Sequence, residues 1–149
     1  MQPPYVVLGA TGILAPLSSL LPADRKRLGI ARGHSPIRGA WDEVVLFDGH
    51  DGGAVASFVA RLEPGYAVVA YAPTVTPATW EALCRKAARR VLALTSAYAA
   101  PRRRHRRMVD RRRGDDVHSW LDRTGGGPAL AYARGDLAGG LVRTFGGAR

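Results

Sequence analysis

The chain is poor in cysteine and has no long apolar run. Cys84 is the only cysteine among 149 residues, so no disulfide can form within the chain, which suits a reducing compartment. No stretch of about 18 apolar residues occurs, and residues 1–4 lack the basic and apolar regions of a signal peptide. We therefore expect a cytoplasmic protein that has no membrane partner.

Several motifs of metal and catalytic sites are also missing. The four histidines are scattered, and neither a Cys-x-x-Cys nor a His-Glu-x-x-His pattern occurs, so no metal site is expected. The lack of a Gly-x-Ser-x-Gly elbow disfavours a serine hydrolase. No Gly-Lys-Ser/Thr follows a glycine-rich loop, which excludes a Walker-type phosphate site.

Hydrophobic residues and arginine are what the chain does contain. Hydrophobic residues make up 46% of the sequence, enough for one core, so we expect residues 1–149 to form a single domain. The formal net charge is +10, and all basic residues except Lys26 and Lys86 are arginine or histidine. This charge favours anionic ligands or anionic surfaces.

The most informative stretch lies near the start of the chain. An apolar strand-like run, residues 5–8, is followed by Gly9-Ala-Thr-Gly12 and then by an apolar segment, residues 13–21, predicted to be a helix. Gly9 permits a sharp turn, and Gly12 lets a phosphate approach the backbone. A helix N-terminus here would also favour an anion through its dipole and its free N–H groups. The alternative is a plain strand-turn-helix corner without a ligand.

The pattern Gly9-Ala-Thr-Gly12-x-x-Ala15 resembles the nucleotide loop of extended and atypical short-chain dehydrogenase/reductases. These include small flavin and biliverdin reductases and NmrA-like proteins. The resemblance implies an α/β fold, a compact Rossmann-like doubly wound parallel sheet, and bound NAD(P). The cofactor contacts that it implies for the loop are Gly9, Thr11, Gly12, Ile13 and Leu14.

Alternating apolar segments predict the rest of the sheet. The predicted strands are residues 28–31, 44–47, 66–71 and 90–95, with a short one at 141–145. The resemblance implies a sixth strand in the segment 129–137. The predicted helices are residues 54–62 and a segment from Pro77 to about residue 89, with Thr76 as N-cap. Residues 36–42 are too short for a crossover helix, so the second βα unit is predicted to be trimmed.

Two residues that follow predicted strands are candidates for contacts with the adenosine part of the cofactor. Arg32 follows the second strand, and no Asp or Glu occurs between Leu28 and Ala40. Since arginine accommodates the 2′-phosphate of NADP whereas an acidic residue favours NAD, Arg32 predicts NADP(H). The alternative is that Arg32 is an ordinary solvated surface arginine. Asp48, after the third strand, matches the adenine-contacting position of the family, although it could equally be a turn residue. Asp51 is better explained as a helix cap.

The ends of the fourth and fifth strands match the part of the family that faces the nicotinamide. The resemblance implies that Ala72 and Pro73 run beside the nicotinamide ribose and that Ser96 is the active-site serine. Tyr98 is a second catalytic candidate. His118, further along the chain, is a candidate contributor to the same site. No tyrosine has a lysine four residues on, so the family's usual Tyr-x-x-x-Lys pair is absent. Cys84 is predicted to be a core residue.

Residues 102–113 form an arginine-rich run in which eight of twelve residues are arginine. We expect this run to be exposed and to attract an acidic partner or an acidic substrate. The resemblance implies that this region also borders a subunit contact, as in a homodimer. Nucleic acid is disfavoured because no aromatic residue interleaves with these arginines to stack on bases.

The sequence as a whole predicts a small NADP(H)-dependent oxidoreductase that transfers a hydride to or from a small organic substrate. The alternative is a non-catalytic cofactor-sensing or scaffold protein, in keeping with the missing Tyr/Lys pair. An anionic-polymer binder is the third hypothesis.

Overall fold

The computed structural model of the protein describes residues 2–95 and 129–132. These residues contain six strands and three α-helices. The strands are β1 (Gln2–Leu8), β2 (Arg25–Ala31), β3 (Glu43–Leu46), β4 (Ala67–Tyr71), β5 (Arg89–Thr95) and β6 (Ala129–Tyr132). The helices are α1 (Leu17–Leu20), α2 (Gly52–Arg61) and α3 (Pro77–Cys84), and a 3₁₀ turn, Ala72–Thr74, joins β4 to α3.

The strands form one parallel sheet in the order β3-β2-β1-β4-β5-β6. This is the Rossmann order, in which the connections reverse direction between β1 and β4. The predicted α/β fold with a doubly wound parallel sheet is therefore confirmed. Ligands of such sheets bind outside the carboxyl ends of the strands, at the point of reversal.

The central strands β1 and β4 are covered on both faces, which explains their continuous apolar residues. On one face, α2 and α3 pack over β1, β2, β4 and β5, and Phe58 and Trp80 are among the buried side chains. On the other face, Leu14, Leu17 and Leu21 from the segment around α1 pack over β1, β4 and β5.

The second βα unit is trimmed, as the sequence predicts. The described connection from β2 to β3, residues 32–42, contains no helix. The indole of Trp41 packs instead with the α1 face of the sheet, and an added Cβ at Gly29 of β2 would lie only 2.9 Å from the indole carbons. A single aromatic side chain thus covers the part of β2 where a crossover helix would lie.

The prediction of a first helix over residues 13–21 is wrong at its start, because α1 begins only at Leu17. Residues 9–16 instead form successive turns, with Gly12 N donating to Gly9 O at 3.2 Å and Ala15 N donating to Gly12 O at 3.1 Å. Pro16 has no N–H with which to bond Gly12 O, so an α-helical ladder cannot extend back through it. The prediction that a helix N-terminus, with its dipole, lies beside Gly12 is therefore wrong as well.

The caps of the other two helices agree with the sequence. Asp51 Oδ1 accepts a hydrogen bond from Ala54 N at 3.1 Å, so Asp51 caps α2. Thr76 and Thr79 form a capping box at the start of α3. The prediction that α3 runs to residue 89 is wrong, because Ala88 N donates to Tyr66 O at 2.9 Å and the chain is already joining the sheet there.

None of the helices among the described residues is long and apolar enough to cross a lipid bilayer.

Candidate functional site

A cleft of about 270 Å³ lies at the carboxyl ends of β1, β2, β3 and β4, beside the reversal point of the sheet. Its walls come from the loop after β1, the turn after β2, the end of β3 and the 3₁₀ turn after β4. The lining residues are Leu8, Gly9, Thr11, Gly12, Ile13, Ile30, Ala31, Arg32, Gly33, His34, Ser35, Phe47, Gly49, Tyr71 and Thr74. Four segments that lie far apart in the sequence therefore meet at the place where a Rossmann-like sheet binds its ligands.

The two glycines of the loop after β1 differ in their surroundings. Gly9 has φ +83°, and an added Cβ would lie 2.9 Å from Thr74 Cγ2, so glycine is required there by the backbone and by packing. At Gly12 the nearest atom to an added Cβ would be Gly9 O, at 3.7 Å. The surface of Gly12 is therefore open, which leaves room for a ligand group to approach the backbone.

The loop of residues 9–15, hereafter the glycine loop, is anchored at its first residues. Gly9 N and Ala10 N both donate to Ile30 O of β2, at 3.2 Å. Within the described part of the chain, the backbone N–H groups of Thr11 and Ile13 have no hydrogen-bond partner. These two residues line the cleft, so their N–H groups are donors that an anionic ligand could use.

The turn of residues 32–35, hereafter the basic turn, supplies the cleft's charged side chain. Arg32 is exposed, and no described residue pairs with its guanidinium. His34 and Ser35 line the same wall, and no acidic residue lines the cleft among the described residues. Gly33 has φ +83°, which lets the chain reverse here against Leu46 of β3. The wall can therefore present positive charge to a phosphate.

Asp48 lies beside the cleft but not among the residues that line it. Its Oδ1 accepts a hydrogen bond from the backbone N of His50 at 2.9 Å, and the imidazole Nδ1 of His50 lies 3.3 Å from the same oxygen. Its neighbours Phe47 and Gly49 form the wall instead. The structure thus places the Asp48 carboxylate in the turn between β3 and α2.

Three further residues predicted to contact the cofactor also stand outside the lining. Leu14 and Ala72 are fully buried, Leu14 in the core around α1 and Ala72 in the core around α2 and α3. Pro73 is half-buried, and the 3₁₀ turn contributes Thr74 to the cleft, with Tyr71 before it. The structure brings together Gly9, Thr11, Gly12, Ile13 and Arg32 of the predicted set.

The predicted catalytic residues Ser96 and Tyr98 lie outside the described residues. The same holds for His118, for the arginine-rich run of residues 102–113 and for the predicted strand at 141–145.

Sequence reasoning missed several residues of the cleft and its supports. Phe47, Tyr71 and Thr74 reach it from the ends of β3 and β4, and only their positions at strand ends could have indicated this. Trp41 contacts the glycine loop, since its Nε1 donates to Ala10 O at 3.2 Å. The only sequence feature that could have indicated this contact is the lack of a crossover helix between β2 and β3.

The ionisable groups whose pKa is shifted lie away from the cleft, in the core around α3. Burial raises the pKa of the Cys84 thiol to about 11, and the nearby Arg90 opposes this shift. Burial likewise raises the pKa of the Tyr66 phenol to about 12, with the Cys84 charge as a second cause. The Tyr66 hydroxyl donates to Leu83 O. Both groups are therefore neutral structural residues and not nucleophiles at neutral pH.

The described residues contain no group of three or more His, Cys, Asp or Glu side chains suited to a metal ion.

Comparisons with known proteins found no matching family model, no matching curated protein and no matching solved structure.

Proposed function

We propose that this protein binds NADP(H) in the cleft and acts as a small oxidoreductase that transfers a hydride to or from a small organic substrate. One observation carries the proposal. The guanidinium of Arg32, which no described residue pairs, shares one cleft with the open glycine loop at the reversal point of a Rossmann-ordered sheet. That combination suits a ligand with one phosphate near the loop and another near the basic turn.

The residues present fit the phosphate groups of such a cofactor. The open surface at Gly12 and the N–H groups of Thr11 and Ile13 would hold the pyrophosphate. Arg32 would hold the 2′-phosphate by charge-assisted hydrogen bonds, with Ser35 as a further donor. The lack of acidic side chains in the described lining favours the phosphorylated cofactor over NAD, because a carboxylate there would repel the phosphate.

When bound, the nicotinamide would supply or accept the hydride. We propose Ser96 and Tyr98 as the hydroxyl groups that orient the substrate, on the resemblance to atypical short-chain dehydrogenase/reductases. The chain lacks that family's Tyr-x-x-x-Lys pair, so proton transfer would have to use other groups.

The missing Tyr/Lys pair favours a second candidate, a non-catalytic protein that binds NADP(H) as a sensor or scaffold. The two candidates differ in whether NADPH is consumed. NADPH oxidation above the buffer rate, with flavins, quinones or aldehydes as acceptors, would favour the enzyme. Tight binding without turnover would favour the sensor.

We also propose binding partners for the cleft and for the arginine-rich run. A small-molecule substrate would meet the cofactor in the cleft, and the arginine-rich run of residues 102–113 would contact an acidic protein or form part of a homodimer. A cytoplasmic location would suit the single cysteine and a pyridine nucleotide ligand.

The cofactor proposal is tested by titrating NADPH and NADH against the wild type and Arg32→Ala. We expect NADPH to bind the wild type more tightly, and the variant to lose about 1–3 kcal/mol of NADPH binding free energy while NADH binding is unchanged. Arg38→Ala is the matched control, because Arg38 is exposed in the same connection but does not line the cleft. Equal affinities of the wild type for both nucleotides would exclude the NADP(H) assignment.

A further inference from the structure

Trp41 touches the glycine loop directly. Its Nε1 donates to Ala10 O at 3.2 Å and to Arg38 O at 3.0 Å. Ala10 is fully buried, and its own N–H bonds to Ile30 O of β2. The peptide groups of Ala10 are therefore held from two sides, by β2 through the amide and by Trp41 through the carbonyl.

The indole also lies close against both β2 and the loop. An added Cβ at Gly29 would lie 2.9 Å from both the Ala10 Cβ and the Trp41 ring, so Gly29, Ala10 and Trp41 are in close contact. Because glycine at this position of β2 leaves a shallow site, the flat indole can lie against the strand and reach the loop. The fit between ring and strand sets the position of the indole N–H.

The residues before Trp41 hold the other end of the same loop. Ala40 N donates to Ser18 Oγ at 2.7 Å, and Ser18 Oγ donates to Ala15 O at 2.7 Å. Ser18 is 1% exposed. Gly39 has φ +95°, and an added Cβ there would lie 2.9 Å from Ala15 O. The connection thus contacts the glycine loop at its beginning, through Trp41, and at its end, through Ser18.

We propose that Trp41 is a positioning residue for the cleft, which holds the glycine loop in register with the basic turn in place of a crossover helix. The same connection carries the basic turn at its start and Trp41 at its end, so both phosphate-facing walls depend on it. Loss of the indole N–H frees the Ala10 carbonyl and lets the loop move relative to Arg32. The proposal deepens the proposed function, since its effect on affinity rests on nucleotide binding at this cleft.

The test compares Trp41→Phe with Trp80→Phe. Phenylalanine at position 41 keeps an aromatic ring but removes the N–H, whereas Trp80 lies 2% exposed in the core of the opposite face. Backbone amide exchange of a peptide covering residues 9–16 is measured without nucleotide, and the Kd for NADPH is measured by its fluorescence. We expect Trp41→Phe to speed exchange in that peptide and to raise the Kd roughly threefold to tenfold, the loss of one hydrogen bond. Trp80→Phe should lower the melting temperature and leave both readouts at the wild-type values.

The outcomes separate the two proposals. Unchanged loop exchange in folded Trp41→Phe overturns the role of Trp41, whether or not nucleotide binds. Faster exchange in a protein whose wild type binds no NADPH supports the positioning of the loop and overturns the proposed function. If Trp41→Phe does not fold, Trp41→Tyr replaces it, because tyrosine also keeps an aromatic ring and also lacks the indole N–H that donates to Ala10 O. Trp41→Tyr should speed exchange in the same peptide, and wild-type exchange there would overturn the proposal.

Discussion

Gly9 and Gly12 belong to one motif but meet different physical constraints. Gly9 needs the left-handed region of the backbone and stands against Thr74, so its substitution is expected to destabilise the fold. Gly12 has ordinary backbone angles and open space around the missing Cβ. Its bare surface has no packing reason among the described residues, which is consistent with a role in ligand approach.

A branched side chain at Gly12 therefore separates folding from binding. We expect Gly12→Val to keep a melting temperature close to that of the wild type and to lose NADPH binding, because its methyl groups would occupy the space that we propose for the cofactor phosphate. Gly9→Val is the control and should lower the melting temperature. A folded Gly12→Val protein with wild-type affinity would show that the loop is only a structural corner.

Cys84 gives the protein a pH dependence whose sign follows from its burial. The ordinary pKa of the thiol is 9.0 and its folded pKa is about 11, so between these values the unfolded chain has lost a proton that the folded chain keeps. The free energy of unfolding then falls as pH rises through this window, and the contribution is fully present below about pH 9. Tyr66 acts in the same direction at higher pH, between 10.0 and about 12.

We expect Cys84→Ala to reduce the loss of stability between about pH 9 and 11, measured by urea unfolding at each pH. In the native wild type, a thiol reagent such as Ellman's reagent should react only slowly at about pH 8, and at once in denaturant. The single cysteine makes this readout unambiguous. Rapid labelling of the native protein would show that the thiol is accessible.

Among the described helices, α3 has the clearest local start signal. Thr76 accepts from Thr79 N, and Thr79 Oγ1 accepts from Thr76 N, at 3.3 and 2.9 Å. The reciprocal bonds satisfy N–H groups that the first turn of a helix leaves without partners. Pro77 follows at the first helical position, where its missing N–H has no cost.

Removing this cap should destabilise the fold without touching the cleft. We expect Thr76→Ala to lower the free energy of unfolding by about 1 kcal/mol, measured by urea denaturation. Ser57→Ala, at an exposed position within α2, is the control and should change it by less than about 0.5 kcal/mol. An unchanged stability in Thr76→Ala would mean that packing of α3 alone sets its start.

Most of the net positive charge of the chain lies in residues 102–113. We expect replacement of Arg103, Arg104, Arg106 and Arg107 by serine to leave the melting temperature nearly unchanged, because exposed substitutions usually cost within about 0.5 kcal/mol each. Binding to a polyanion such as polyglutamate should weaken, and its salt dependence should flatten. A large fall in melting temperature would contradict the expectation that the run is exposed.

Local sequence patterns predicted the doubly wound sheet and located most of its strands and helices. Buried parallel strands must be apolar throughout, so β4 and the end of β1 stood out in the sequence, and caps such as Asp51 and Thr76 act on their own helices. The β-strand that starts at Arg25 was predicted too short, because its polar first residues reveal nothing of their pairing with β1. The ends of α1 and α3 were wrong for a similar reason, since hydrogen bonds and packing outside the local pattern decided them.

The motif Gly9-Ala-Thr-Gly12 and the lack of acidic residues after β2 are properties of short segments, and the sequence alone established them. The tertiary structure decided which of the predicted residues meet. It brought Arg32 to the glycine loop, turned Asp48 towards His50, buried Leu14 and Ala72, and laid Trp41 on Gly29. Most of these outcomes depend on contacts between segments that are far apart in the chain, and no periodicity or spacing within one segment encodes them.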